Sequence, residues 1–448
     1  MVNETRLLEL AEAGVKKALE VGADQAEVFA NAIRAVEVDL QKDDIHNAIT
    51  REEATFGIRV FKGGAEGFAT VNSAERIGEA CGLAVEMARV SPPDPKNGLA
   101  EPAPVTALGE LPDTEIAALD VGRLVDMASD LLSSVKARDA RVRVDSGGVS
   151  TMLAHRAIAT STGIRLSDAG AWASGYLFGM AVDGSDIGCF DHDGQTVRRY
   201  ADLQSELDAA GERFVAKTLG ALGAQKGESF RGSVVLSPEV VSSFVLGDLL
   251  SVLNGRAVRT GRSPFSERLQ EKVFSEAVTL FDDARLPGAA ASEAFDREGT
   301  PTARLPVVEA GVLRTFLYDV YEARAAGRAP TGHAQGGASA RPSIGASNLI
   351  LSEGSIPYAK LCAEPERAVL VTRLSGSSNA ITGEFSGVVK GGFFLRRGDR
   401  VPVREVMIAG NLYQALKQVS GVSAETRWLS GSRRVPAIRL DDISVTAG

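Results

Sequence analysis

Four short runs near the start of the chain, Ala26–Asn31 (AEVFAN), Val36–Gln41 (VEVDLQ), Ala54–Val60 (ATFGIRV) and Gly67–Val71 (GFATV), carry apolar residues at about every second position. A period of two sends alternate side chains to opposite faces and reads as β-strand. Polar or glycine turns such as Lys62-Gly63-Gly64 separate the runs. Before them, Leu7, Leu8, Ala11, Val15 and Leu19 recur at helical spacing, with Asn3 placed to cap the helix and Gly22 to stop it. After them, Ser73–Val90 places Ile77, Ala80, Leu83, Ala84 and Met87 on one helical face. Helix, strands, helix makes residues 1–90 a small N-terminal α/β domain, and the class of the chain is α+β.

Outward from that unit the punctuation changes. Residues 91–115 form a Pro-rich linker or extended crossing segment, with five prolines in SPPDPKNGLAEPAPVTALGEL (Ser91–Leu111) and no apolar period. Residues 116–225 read as a central helix-strand-helix region: a helix over Val121–Val135, strands from Val142 to Tyr200, and a helix over Leu203–Leu222. Residues 226–448 form a β-rich C-terminal domain. It opens with the strand Val234-Val235-Leu236, followed by Ser237-Pro238 as N-cap and first residue of a helix running to about Leu253. Asp191-His192-Asp193-Gly194 reads as a surface hairpin turn.

Composition excludes several functions. The 448 residues are 44% hydrophobic and 24% charged, with 58 Asp and Glu against 49 Lys and Arg, a net charge of −9. A nucleic-acid binder needs a basic excess, so none is expected. The start, MVNETRLLELAEAG, lacks the basic and apolar stretches of a signal peptide, and no window approaches the roughly 18 apolar residues of a membrane span. The expectation is a cytoplasmic chain without membrane contact. Cys81, Cys189 and Cys362 are far apart and read as free thiols. His46, His155, His192 and His333 are too dispersed for a zinc site with two histidines on one helix face.

The remaining candidates are loops. His333 lies in PTGHAQGG (residues 330–337), where glycines permit close approach of a ligand. Asn379–Gly387 (NAITGEFSG) is polar and glycine-punctuated; its Thr382 and Ser386 hydroxyls need an oriented base to act as nucleophiles. Asn254–Pro264 carries Arg256, Arg259 and Arg262, in the pattern of a basic lid or a solvated loop. No GxSxG, GxGxxG or GxxxxGK[ST] occurs, so neither a serine elbow nor a phosphate cradle is indicated.

Three C-terminal stretches carry a resemblance. Ala380-Ile381-Thr382-Gly383-Glu384-Phe385-Ser386, Gly391-Gly392-Phe393-Phe394 and Ile408-Ala409-Gly410-Asn411-Leu412 resemble the closing signature of the TldD/PmbA family. Thr331-Gly332-His333-Ala334, Phe295-Asp296-Arg297-Glu298-Gly299 and Ser91-Pro92-Pro93-Asp94-Pro95 are similar to its PmbA/TldE branch, and the likeness runs from about Ala26 to the C-terminus. The resemblance implies a small N-terminal α/β domain and a large, mostly antiparallel β-rich region. It also implies dimers, often of one TldD and one TldE chain, that hydrolyse peptides in an enclosed chamber. The TldD-type subunit carries zinc on an HExxxH helix completed by a late cysteine.

Here the matching helix, Pro238–Ser251, has no histidine, and no cysteine follows Cys362. The resemblance therefore implies no catalytic or metal residue in this chain and no cofactor of its own, zinc residing on a TldD-type partner. It implies a partner subunit, in a heterodimer or with itself, that contacts small or unfolded peptides through His333, Asn379, Thr382 and Asn411. One alternative is a non-catalytic homodimeric peptide-binding protein. Another is a metal-independent hydrolase using Thr382 or Ser386. The family's older label, modulator of DNA gyrase, finds no basic patch in this sequence.

Overall fold

The computed structural model describes residues 3–109, 112–397 and 399–448. Helix α1 (Glu4–Glu20) begins where the Asn3 side chain accepts a bond from the Arg6 amide at 2.9 Å, and it buries Leu7, Ala11, Val15 and Ala18. The first two apolar runs are one strand, β1 (Gln25–Gln41), which pairs antiparallel with β2 (Asp44–Lys62). Next come β3 (Ala65–Val71), on the outer edge of β2, and helix α2 (Ile77–Val90).

The free edge of β1 takes β4 (Val142–Thr160), which pairs with β5 (Arg165–Asp183). The strands of residues 1–90 and those of the 116–225 segment share one seven-stranded sheet among the described residues. A local pattern shows that β1 is a strand, but both its edges need partners and the pattern does not say which distant segment supplies the second.

Parity on β1 divides the molecule. Even-numbered Val28, Ala30 and Ala32 pack with α1 and α2, and even-numbered Val36, Val38 and Leu40 pack with the helices Val121–Arg138 and Tyr200–Gly220. The odd-numbered face turns to the C-terminal half: Phe29 packs with Phe295, and the Asn31 side chain accepts from the Ala338 amide at 3.2 Å.

That half is built on a twelve-stranded sheet among the described residues, mostly antiparallel with three parallel pairings. Its long strand Arg433–Ala447 lies between Leu349–Leu351 and Phe230–Leu236. The helix after Ser237 is interrupted. Pro238–Val240 and Leu246–Val252 are α-helical, and Val241–Val245 between them is a π-turn in which the Leu246 amide reaches the Val241 carbonyl. The Pro-rich segment is strapped down rather than free. Tyr321 donates to Asp94 at 2.8 Å, Arg324 to the Leu99 carbonyl at 2.5 Å, and Arg285 to the Thr106 and Ala107 carbonyls at 2.8 and 2.9 Å.

Between the two sheets lies a buried quartet of charges. Glu27 receives Arg59 Nη2 and Arg297 Nη1, each at 2.7 Å, and Arg59 Nη1 reaches Glu298 Oε1 at 2.8 Å. Arg297 also stacks 4.0 Å from the centre of the Phe29 ring. Burial disfavours the Glu27 carboxylate, and the two guanidiniums outweigh it, holding the group below the usual carboxylate range. Two negative and two positive groups leave the interior neutral only while all four are present.

Arg297→Ala is expected to cost about 3–5 kcal/mol in urea unfolding, because it leaves Glu27 buried with one partner. The double variant Glu27→Gln, Arg297→Met should recover part of that loss.

Candidate functional site

Four elements converge on a cleft of about 620 Å³ between the two sheets, lined by Tyr176, Asp193, Lys217, Glu239, Arg427 and Arg433 among others. The residues Asp191–Val197 form a strand paired to β5, not a surface turn. Its alternation sends His192 to solvent and turns Asp191 and Asp193 inward, with both aspartates buried. The two inward residues of Asp-His-Asp were the available signal, but Gly194 at their end pointed to a hairpin. Gly194 instead lets the strand lie against Tyr176, since a Cβ there would sit 2.6 Å from the Gly175 carbonyl oxygen.

Helix Tyr200–Gly220 supplies Arg213 and Lys217, one turn apart on one face. The head of the interrupted helix supplies Glu239, and the hairpin Val419–Leu429/Arg433–Ala447 supplies Arg427 and Arg433. Asp193, with its side chain fully buried, is met by Lys217 Nζ at 2.8 Å, Arg213 Nη2 at 3.0 Å and Arg427 Nη2 at 2.7 Å. Glu239 binds the same Lys217 at 2.8 Å and the other fork nitrogen of Arg427. Burial opposes the charge of both carboxylates, but Lys217 and Arg427 outweigh it and hold both below the usual range. Asp191 has no such clamp: burial pushes its carboxyl up, and Lys217 offsets this only in part.

The chemistry of this arrangement is fixed charge. Asp193 and Glu239 stay ionised and saturated with donors, so neither is free to carry a proton in a reaction. The cations that hold them present N–H groups to the cleft and suit an acceptor-rich ligand.

The residues expected as cleft contacts lie elsewhere. His333 is not at a cleft: its imidazole is buried, with Nε2 2.8 Å from Asp282 Oδ2 and Nδ1 2.8 Å from the Thr331 carbonyl oxygen. The glycine before it serves packing, since a Cβ on Gly332 would sit 2.7 Å from the Pro301 carbonyl oxygen and φ there is +74°. Asn379, Thr382 and Asn411 do come together, in an exposed turn. Asn411 donates to the Thr382 carbonyl at 2.8 Å, its other side-chain atom caps the helix Leu412–Lys417, and Asn379 accepts from the Ile381 amide at 3.0 Å.

Ser386 is exposed on the strand Glu384–Arg396. Arg259 is no free lid cation: both its Nε and Nη2 bind Glu322, at 2.7 and 2.8 Å. Sequence reasoning missed Asp193, Lys217, Glu239, Arg427 and Arg433, which are distant in the chain and meet only when both sheets have formed.

With that geometry in view, the comparisons with known proteins decide the family. Residues 229–447 match the PmbA/TldA metallopeptidase C-terminal domain, and residues 26–88 match PmbA/TldA metallopeptidase domain 1. The chain belongs to the PmbA/TldD family. A metalloprotease of Methanothermobacter thermautotrophicus is 26% identical over 422 residues, 91% of this chain and 90% of that one. The metalloprotease PmbA of Escherichia coli O157:H7 is 24% identical, over 93% of this chain and 92% of its own length. The crystal structure of TldE from Thermococcus kodakarensis superposes with a TM-score of 0.89 at 25% identity, covering 98% of this chain and all (100%) of that one.

The family description implies a metal, and the residues at the head of the helix do not fit one. Glu239 there faces an ammonium and a guanidinium, which offer no lone pair and repel a cation. Among the described residues no group of three or more His, Cys, Asp or Glu is placed to hold a metal ion.

Lys217→Met removes a cation that holds both Asp193 and Glu239 ionised. Their contribution to stability is present above the ordinary carboxylate pKa of about 4 and is lost as pH falls through the lowered folded values. With Lys217 gone those values rise, so the acid-unfolding midpoint followed by circular dichroism is expected to move to higher pH.

Proposed function

We propose that this chain is the PmbA/TldE-type component of a PmbA/TldD-family peptidase, acting in proteolysis of small or unfolded peptides beside a TldD-type partner that bears the zinc. The observation that carries the reading is Glu239 at the head of the helix, clamped by Lys217 and Arg427 in a cleft open to a ligand. In this reading the chain contributes walls and fixed charge to a peptide chamber, while activation of water belongs to the partner. The likeness to TldE from Thermococcus kodakarensis over 98% of the chain supports it.

We assign the assembly to the cytoplasm. Three free cysteines, two of them buried, suit a reducing compartment, and no helix among the described residues is long and apolar enough to cross a membrane. A non-catalytic homodimer that holds peptides in the same cleft is the second reading, favoured by a clamp that leaves neither Asp193 nor Glu239 free for proton transfer.

The test is to purify the chain alone and co-expressed with an HExxxH-bearing relative, then compare subunit composition and hydrolysis of unfolded casein fragments. The expected outcome is a mixed dimer with hydrolysis, and none from the chain alone. Hydrolysis by the isolated chain overturns the partner role. A self-paired chain that binds fragments and gains no activity on co-expression establishes the second reading.

A further inference from the structure

One charge in the cleft is left without an opposite. Asp193 and Glu239 are shared among Arg213, Lys217 and Arg427, and every one of these ions has a partner within 3.0 Å. Arg433 lines the same cleft, and no carboxylate of the described residues lies within ion-pair distance of it. Its Nη1 donates to the Ser242 carbonyl at 2.8 Å. That carbonyl belongs to the π-turn, where the Leu246 amide bonds to Val241 instead of to Ser242. The guanidinium is thus anchored at one nitrogen, and burial alone pulls its pKa down, with no neighbouring charge to compensate.

The same cleft is also lined by the uncharged polar side chains of Gln195, Ser242, Ser243, Ser430 and Ser432. Such groups pair with peptide amides and carbonyls without adding charge. A half-buried guanidinium lacking a counter-ion is costly in the empty protein and is relieved by an anion that enters. Its planar fork matches a carboxylate, which it holds by two parallel bonds. The volume, about 620 Å³, falls within the roughly 300–1,000 Å³ of small-ligand sites and suits a chain end rather than a folded surface.

We propose that Arg433 anchors the C-terminal carboxylate of a peptide in the cleft between the two sheets, with the serine-rich wall around it receiving the peptide backbone. This specifies the ligand of the site in the reading above and rests on that reading. It makes the chain selective for free peptide ends over internal segments.

The test uses three pools of fluorescein-labelled random pentapeptides built from neutral residues: one with a free C-terminal acid, one amidated, and one amidated with a single glutamate. Binding to the full chain is followed by fluorescence anisotropy. The free-acid pool is expected to bind about tenfold more tightly than the amidated pool, as the loss of one charged hydrogen-bonded pair implies. Arg433→Gln should erase that difference. Arg433→Lys, which keeps the charge but not the fork, should retain only part of it and remains informative if the glutamine variant melts early.

Equal binding of acid and amide pools, or unchanged discrimination in Arg433→Lys, overturns the anchor while leaving peptide binding intact. A glutamate-bearing amide that binds as tightly as the free acid overturns selection of the chain end. Failure of all three pools to bind overturns the anchor and the peptide reading together.

Discussion

The quartet Glu27, Arg59, Arg297 and Glu298 is the constraint on which the molecule depends. It joins the odd-numbered face of β1 and β2 to the Phe295–Gly299 loop of the C-terminal half, and its members are almost wholly buried. Desolvating four ions costs several kcal/mol each, so the arrangement is tolerable only with every pairing made. Apolar packing alone, Phe29 against Phe295, would let the sheets slide. Directional ion pairs admit one alignment. Glu298 extends the lock by accepting the Val320 amide at 2.8 Å, which fixes the start of the helix Val320–Ala326.

The cleft follows from that alignment. Asp193 comes from the N-terminal sheet, and Glu239, Arg427 and Arg433 come from the C-terminal half; Lys217, on the helix between them, touches both Asp193 and Glu239. A second, smaller clamp therefore repeats the logic of the first at the place where the ligand is proposed to bind. The difference is charge balance: the quartet is neutral, whereas the cleft keeps one guanidinium without a carboxylate. The same ion-pair chemistry thus serves cohesion in one place and recognition in the other.

Much of the fold was legible in the sequence. Helices α1 and α2 and the alternating runs of β1 to β3 appear where the periodicities put them, because local burial patterns reflect the face each residue presents. Pairing was not legible, since β1 joins β4 across more than a hundred residues of chain by backbone bonds that no side-chain pattern encodes. The helix Val320–Ala326 went unread because its seven residues hold buried Val320, Glu322 and Ala323, too few for a periodic stripe.

The site was less legible than the fold. The motif Phe295–Gly299 marked family membership, but its charges proved to be the lock between sheets. His333 and its flanking glycines looked like a ligand loop and are a buried hydrogen-bonded corner. Arg433 carries no motif at all. Its position becomes meaningful only beside the Ser242 carbonyl, which lies 191 positions away in the chain.

The central claim is that fixed cations, rather than a metal ion, occupy the head of the helix Pro238–Val252. Isothermal titration of the isolated chain with zinc chloride tests it most directly. The account predicts no stoichiometric binding at micromolar zinc, and no change on Glu239→Gln. One tightly bound zinc per chain, lost in Glu239→Gln, would contradict it.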